Sequence, residues 1–182
     1  RGVFRRQGAT WLIDDGGDAP LRLKHGKGLQ YIAELLQWPG RALPAAALAE
    51  GDSAAFFATV ERLAALRDEA DAAARCNDPL RAAGAHVALA AATAPLARQA
   101  GLGGRRRPGS TPAERARLNV TRTIADAIRR IAAADARLGH YFASTIRTGA
   151  LCGFTPDPRI PIEWDSPPEP PSSPTARRRN KR

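Results

Sequence analysis

The segment 110–134 constrains the fold more than any other, because as a helix it divides into an apolar side and a charged side. Successive helical residues are about 100° apart, so residues three and four positions apart share a side. One side carries only aliphatic residues: Val120, Ile124, Ala127, Ile128 and Ile131. The opposite side carries Arg115, Asn119, Arg122, Asp126 and Arg129, with Arg130 beside them. The pattern predicts a long helix that packs on the rest of the chain through its apolar side.

Helical spacing of apolar residues recurs along the rest of the chain. It predicts further helices over 28–38, 44–50, 54–75, 80–100 and 137–146. Ser110 or Thr111 is expected to cap the helix of 110–134, with Pro112 in its first turn. The short turn at 77–79 indicates that 54–75 and 80–100 form an antiparallel helical hairpin. Pro95 is expected to kink or locally break the second helix of that hairpin.

Short apolar runs flanked by turn formers predict strands. Trp11-Leu12-Ile13 and Leu21-Arg22-Leu23 enclose a loop rich in Asp, Gly and Pro, which favours a β-hairpin. Residues 148–154 are expected to form a second hairpin, and 160–164 a closing edge strand, where proline is tolerated. The expected fold class is therefore α+β, mainly helical with small β-hairpins.

The composition favours a folded, basic protein with polyanionic partners. Of 182 residues 43% are hydrophobic, enough for a real core, and 28 Lys and Arg against 18 Asp and Glu give a net charge of +10. Nucleic acid is the first expected partner class and an anionic lipid surface the second. Some of the charge lies in a basic, glycine-rich linker over 101–109 and in a Pro-rich basic tail over 166–182, expected to be disordered and solvated.

Several other function classes lack their sequence signals. No apolar run approaches the roughly 18 residues that span a bilayer, so no membrane insertion is expected. Cys76 and Cys152 lie far apart, which indicates no disulfide framework and favours a reducing cytoplasm.

The chain also lacks recognisable catalytic chemistry. Its three histidines have no metal-ligand spacing, and no phosphate-binding loop or nucleophile motif is present. Asp14 and Asp15 form an acidic pair, but in an expected hairpin turn where solvated side chains are the simpler interpretation. We therefore expect no enzyme activity, no metal and no cofactor.

Three pieces of the sequence resemble one known domain, in the same order. Leu21-Arg22-Leu23 leads into a helix with Leu35-Leu36, then Pro39-Gly40-Arg41 and a second helix containing Leu48. The arginine-bearing helix over 119–131 follows, and then Ile146-Arg147-Thr148 with Gly153-Phe154. This order is similar to the winged-helix effector domain of OmpR-type response regulators, over roughly 10–50 and 112–156. Lys27-Gly28-Leu29 and Thr145–Cys152 also resemble C-terminal modules of large bacterial regulatory ATPases and cyclase-like proteins.

The resemblance implies a bacterial transcription-regulatory module, with the helix of 110–134 in the major groove of double-stranded DNA. It implies that Arg122 and Arg129 make most of the DNA contacts, with Arg115, Asn119, Asp126 and Arg130 assisting and with Arg147 and Thr148 near the DNA backbone at the wing. The chain departs from the family by about sixty extra residues between the first helices and the recognition-like helix. The expected organisation is thus 1–51 and 110–165 for the winged helix, 52–109 for an inserted hairpin and linker, and 166–182 for the tail.

A protein-interaction or dimerisation module of a larger signalling protein is the alternative. Its interface would be a stripe on the inserted hairpin: Phe56, Phe57, Val60 and Leu63. Packing of the same stripe inside its own domain is the favoured explanation. A third hypothesis is a winged helix kept as a scaffold, whose basic side contacts nothing specific.

Overall fold

The structure, a computed structural model, describes residues 1–17, 19–99 and 111–167. The strands are β1 (Gly2–Gln7), β2 (Thr10–Asp14), β3 (Leu21–Lys24), β4 (Ala42–Pro44), β5 (Ile146–Arg147), β6 (Leu151–Phe154) and β7 (Trp164–Asp165). The helices are α1 (Lys27–Leu36), α2 (Ala45–Glu50), α3 (Ser53–Arg75), α4 (Pro79–Gln99), α5 (Pro112–Ala134) and α6 (Ala136–Thr145). The chain is an α+β protein. The expected linker over 101–109, Ser110 and the tail beyond Pro167 lie outside the described residues.

A four-stranded sheet in the order β3-β2-β1-β7 forms one side of the molecule. The expected hairpin of β2 and β3 is confirmed, with Trp11 opposite Leu23 and Ile13 opposite Leu21. β1 was not expected from the sequence, and it pairs antiparallel with β2. Buried Phe4, Trp11 and Ile13 point from this sheet into the core, because alternate residues of a strand share one face.

The last strand returns to the first. β7 pairs in parallel with β1, Gly2 opposite Trp164, and the Gly2 N–H donates to the Glu163 carbonyl at 2.9 Å. The expected edge strand thus lies slightly later in the chain than 160–164. Ser166 is buried and donates through its hydroxyl to the Ala33 carbonyl at 2.9 Å. Ser166, the first residue of the predicted tail, is therefore bonded to α1.

A second sheet has three strands in the order β4-β6-β5. The hairpin of β5 and β6 follows α6 directly, and β6 pairs antiparallel with β4, Leu43 opposite Cys152. The strand that follows α1 is thereby joined to the C-terminal hairpin.

Helices α1, α2, α5 and α6 enclose the core between the sheets. α5 contacts α1, α2 and α6, and its buried residues are Val120, Ile124, Ala127 and Ile131. α1 and α5 approach each other very closely at Gly28. A Cβ built on Gly28 would lie 2.1 Å from the Thr123 carbonyl oxygen of α5. Residues from the expected segments 1–51 and 110–165 contribute to this one core.

α3 and α4 pack side by side as an antiparallel hairpin. Ala70, Ala73 and Ala85 are buried between them, and Asn77 adopts the left-handed conformation (φ 54°) in the turn. α4 is one helix from Pro79 to Gln99, so Pro95 does not divide it into two helices. The hairpin is attached to the core through the start of α3, where the rings of Phe57 and Trp38 are 4.6 Å apart.

No helix among residues 1–17, 19–99 and 111–167 is long and apolar enough to cross a membrane.

Candidate nucleic-acid interface

The ends of α5 are fixed by local hydrogen bonds. Its first turn carries Pro112, and the Thr111 side chain accepts a hydrogen bond from the Glu114 backbone N–H at 3.2 Å. Such a cap satisfies one of the N–H groups that have no partner inside the helix. At the other end, Asp135 terminates α5 and caps α6 by accepting from the Leu138 N–H at 2.9 Å. Hydrogen bonds therefore fix the residues at which α5 begins and ends.

The charged side of α5 faces away from the core. Arg115, Asn119, Arg122, Asp126 and Arg129 are all exposed, while the aliphatic stripe on the other side is buried except for Ile128, which is partly buried. Arg115, Arg122 and Arg129 follow one another at seven-residue intervals, which corresponds to about 10.5 Å along a helix axis. The structure thus brings these residues into one line along the exposed surface.

The arginines of α5 differ in their bonding. Arg129 forms an ion pair with Asp126, and an Arg130 guanidinium N–H donates to the Lys24 carbonyl at 2.6 Å, tying α5 to β3. Arg115 and Arg122 make no side-chain hydrogen bond or ion pair with any other described residue. The guanidinium groups of Arg115 and Arg122 are therefore available to an anion from outside the chain, whereas those of Arg129 and Arg130 are already engaged.

Arg117 is a fifth arginine of α5, outside the expected set. It donates to both oxygens of Glu114, at 2.9 and 2.6 Å. The hydrogen bond from Arg117 holds the pKa of the Glu114 carboxyl below its usual value, and the same bond raises the pKa of Arg117. The pair is an internal contact of the first turns of α5.

The hairpin of β5 and β6 carries the remaining expected contacts. Arg147 and Thr148 are exposed where the chain leaves β5, and Gly149 in the turn has φ 157°. Cys152 is buried on β6, and burial raises the pKa of its thiol, so it stays protonated at neutral pH. The hairpin presents a basic and a hydroxyl side chain to solvent on a strand pair that is anchored by the core.

One long-range ion pair had no signal in local sequence patterns. Arg137 on α6 forms an ion pair with Asp15 at 2.6 Å, and the Asp15 side chain is only 7% exposed. The interpretation of Asp15 as a solvated turn residue was therefore wrong. Its carboxylate also accepts from the Gly17 N–H at 3.2 Å, so it joins the β2–β3 loop to α6.

The stripe proposed as a protein interface is largely turned inward. Phe57 is buried, and the Arg41 guanidinium carbon lies 4.0 Å from the centre of its ring. Phe56 and Leu63 are partly buried, and Val60 is 37% exposed. Most of the surface of these side chains is thus covered by their own chain.

Potential metal ligands do not cluster in the described part of the chain. Within residues 1–17, 19–99 and 111–167 no three His, Cys, Asp or Glu side chains are arranged to hold a metal ion. His25 accepts a hydrogen bond at Nδ1 from the Trp11 indole N–H at 3.0 Å, and His86 Nδ1 lies 2.7 Å from the Ala82 carbonyl oxygen. Both histidines therefore serve local contacts.

Comparison with known proteins adds no relative: no family model, no curated protein and no solved structure matches the chain.

Proposed function

We propose that this chain is a DNA-binding regulatory module of the winged-helix type, with the α3–α4 hairpin as an insertion. The observation that carries the proposal is the exposed side of α5, where Arg115 and Arg122 are seven residues apart and have no partner among the described residues. Guanidinium groups bind phosphates and the O6 and N7 atoms of guanine through paired hydrogen bonds. An arginine already bonded within its own chain must give up that bond first.

The order of elements supports the same proposal. Helix α1, strand β4, helix α2, helix α5 and, after α6, the β5–β6 hairpin follow the order of the winged-helix resemblance, and β4 pairs with β6 of the hairpin. α5 would enter the major groove, and Arg147 and Thr148 would contact the DNA backbone. Arg115 and Arg122 carry the phosphate or base contacts, Asn119 lies between them on the same side, and Arg129 contributes after release from Asp126.

Fluorescence anisotropy with a mixed-sequence duplex, across a salt series, tests the proposal. Residues 1–167 are used, which removes the basic tail but keeps Ser166 bonded to α1. Each phosphate contact contributes about 0.9 to the slope of log K against log salt concentration. An Arg115→Ala, Arg122→Ala variant is expected to lower that slope by about two if both arginines contact phosphates. If one of them reads a base, about 1–3 kcal/mol is lost at a single position of the site.

The matched control removes two arginines elsewhere. Arg62 and Arg67 are exposed on α3, so an Arg62→Ala, Arg67→Ala variant loses the same charge without touching α5. The control should bind nearly as well as the parent. Equal losses in both variants would mean that only net charge attracts DNA, and no binding at low salt would contradict the proposal outright.

A further inference from the structure

The outward side of α4 is an apolar surface without a partner among the described residues. Leu80 is 86% exposed and Val87 is 71% exposed. Four small residues are exposed as well: Ala83, Gly84, Ala90 and Ala91. Residues spaced three, four and seven positions apart lie on the same side of a helix, so all six residues share one side of α4. Two bare aliphatic side chains and four small residues thus form one stripe, which we call the α4 stripe.

Charge distinguishes α4 from its partner helix. The exposed side of α3 is covered with charges of both signs, in Glu61, Arg62, Arg67, Asp68 and Glu69, as expected for a solvated helix. From Pro79 to Ala94, α4 has only Arg81, which is ion-paired with Glu69 at 3.2 Å, and one histidine. A helix that is apolar all round is normally covered on all sides, but among the described elements α3 covers one side of α4 and leaves Leu80 and Val87 exposed.

Gly84 gives an independent indication of a missing neighbour. The described helices contain three glycines, and at two of them another helix is close: a Cβ would lie 2.1 Å from Thr123 O at Gly28 and 2.3 Å from the Ala132 Cβ at Gly139. At Gly84 nothing lies within 4 Å of that position. Glycine weakens a helix relative to alanine, and no contact with another described residue accounts for a glycine at this position.

The sizes of the side chains along the stripe are self-complementary. Two α4 helices can pack antiparallel so that Leu80 of one copy faces Ala91 of the other. In the same register Gly84 faces Val87, because the numbers of facing residues add up to 171. Each large side chain then faces a small one, and each contact occurs twice by twofold symmetry. The opposed helix dipoles also favour the antiparallel arrangement. We propose that the α4 stripe is a homodimer interface in which α4 packs antiparallel on α4 of a second copy.

Neither undescribed segment of the chain offers a matching occupant. Residues 100–110 contain one large apolar residue, Leu102, and residues 168–182 contain none besides proline. The area fits only a weakly bound second copy: the stripe from Leu80 to Ala91 is about 16 Å long, and a face about 10 Å wide offers roughly 160 Å². Two such faces bury less than the roughly 1,200 Å² typical of a stable interface. The dimer therefore forms at high protein concentration and dissociates on dilution.

Sedimentation of the full chain over a wide concentration range tests the proposal. The parent protein is expected to shift from monomer to dimer, and added salt should strengthen the dimer because it screens repulsion between two copies of charge +10. Val87→Glu buries a charge without a partner and should raise the dissociation constant about tenfold or more. Gly84→Leu blocks the close approach without adding charge. Both positions are open in the monomer, so the fold is retained.

Ala65→Glu is the matched control, since Ala65 is exposed on α3 and the substitution adds the same charge to the other helix of the hairpin. It should dimerise like the parent. A parent protein that stays monomeric at every concentration overturns the proposal. So does a dimer that Val87→Glu and Gly84→Leu leave unchanged, because another surface must then form it.

Cysteine cross-linking tests the antiparallel register. In a Cys76→Ser background, the Leu80→Cys, Ala91→Cys variant should form a disulfide-linked dimer on oxidation, while each single variant should remain uncrosslinked. The two positions are about 16 Å apart along one helix, too far for a bond within one copy. Efficient cross-linking of Leu80→Cys alone would indicate parallel helices and overturn the arrangement.

Discussion

Two helical glycines, Gly28 and Gly84, lie in opposite surroundings, one packed and one open. The surroundings decide whether an added methyl group destabilises or stabilises the fold. Gly28 on α1 lies against the backbone of α5, so no flexible side chain can move aside for a Cβ there. Gly84 on α4 faces open space. The same substitution should therefore have effects of opposite sign at the two positions.

We expect Gly28→Ala to lower the free energy of unfolding by about 1–3 kcal/mol, because α1 and α5 must separate to admit the methyl group. Gly84→Ala should raise it by about 0.5–1 kcal/mol, since alanine favours the helix and meets nothing. Urea denaturation at a concentration where the chain is monomeric measures both. Stabilisation by Gly28→Ala would mean that the two helices are not in close contact.

Among the elements, the helical hairpin depends on a small attachment. Arg41, between α1 and β4, stacks over Phe57 and Trp38 at 4.0 and 5.3 Å and forms an ion pair with Glu61 at 3.0 Å. Ser53, at the start of α3, is buried and donates to the Glu34 carboxylate. These contacts hold the first turns of α3, while the rest of the hairpin extends from them.

We expect Arg41→Ala to loosen the hairpin without unfolding the core. A cation over aromatic rings contributes about 0.5–2 kcal/mol per contact, and both contacts are lost together with the ion pair. Hydrogen exchange should rise in the first turns of α3 and stay unchanged in α5. The control, Arg81→Ala, breaks an exposed ion pair inside the hairpin, which contributes about 0–1 kcal/mol, and should change little. Faster exchange in α5 would show that Arg41 supports the core itself.

The helices were predictable from sequence because each combines helical spacing of apolar residues with a turn signal at its end. α1, α3, α4, α5 and α6 begin and end within a few residues of the predicted bounds. β1 was missed because Arg5 and Arg6 interrupt the alternation of apolar and polar residues after Phe4. The exact position of β7 was missed because its partner lies at the far end of the chain, and no local pattern encodes a parallel pairing.

The same limit applies to the candidate site. The exposed side of α5 follows from periodicity alone, and all of its predicted residues are exposed. The bonding of each arginine does not follow, because Arg130 bonds to Lys24, more than a hundred residues away. Sequence spacing could not distinguish Arg130, which is already bonded, from Arg122, which has no partner in the part of the chain that the structure describes.

At the scale of the whole molecule, the aromatic cluster around Trp164 joins the two ends of the described chain. Trp164 on β7 packs against Phe4 of β1 and Phe142 of α6, with ring centres 6.1 and 5.2 Å apart, and its indole N–H donates to the Tyr141 hydroxyl at 3.3 Å. Burial raises the pKa of Tyr141, which keeps its hydroxyl neutral. The sheet and the helical core are thus locked together by residues from both ends.

We expect Trp164→Ala to lower the free energy of unfolding by about 2–3 kcal/mol, somewhat less than for a fully buried tryptophan. Removal of residues 168–182 should leave the melting temperature unchanged, while removal of 161–182 should lower it strongly, because β7 is then lost. Ile160→Ala is the control, since Ile160 is 51% exposed. Equal melting temperatures for both truncations would contradict a stabilising role of β7.

The pairing of β1 with β7 also has a consequence for synthesis. Gly2 and Trp164 are about 160 residues apart in the chain, so their contact closes a loop whose entropy cost exceeds that of a neighbouring hairpin by roughly 2 kcal/mol. A nascent chain emerges from the ribosome with β1 first and β7 last, and until then one edge of β1 has no partner strand. Prematurely terminated chains therefore expose an open sheet edge beside Phe4, the type of surface that leads to aggregation or degradation.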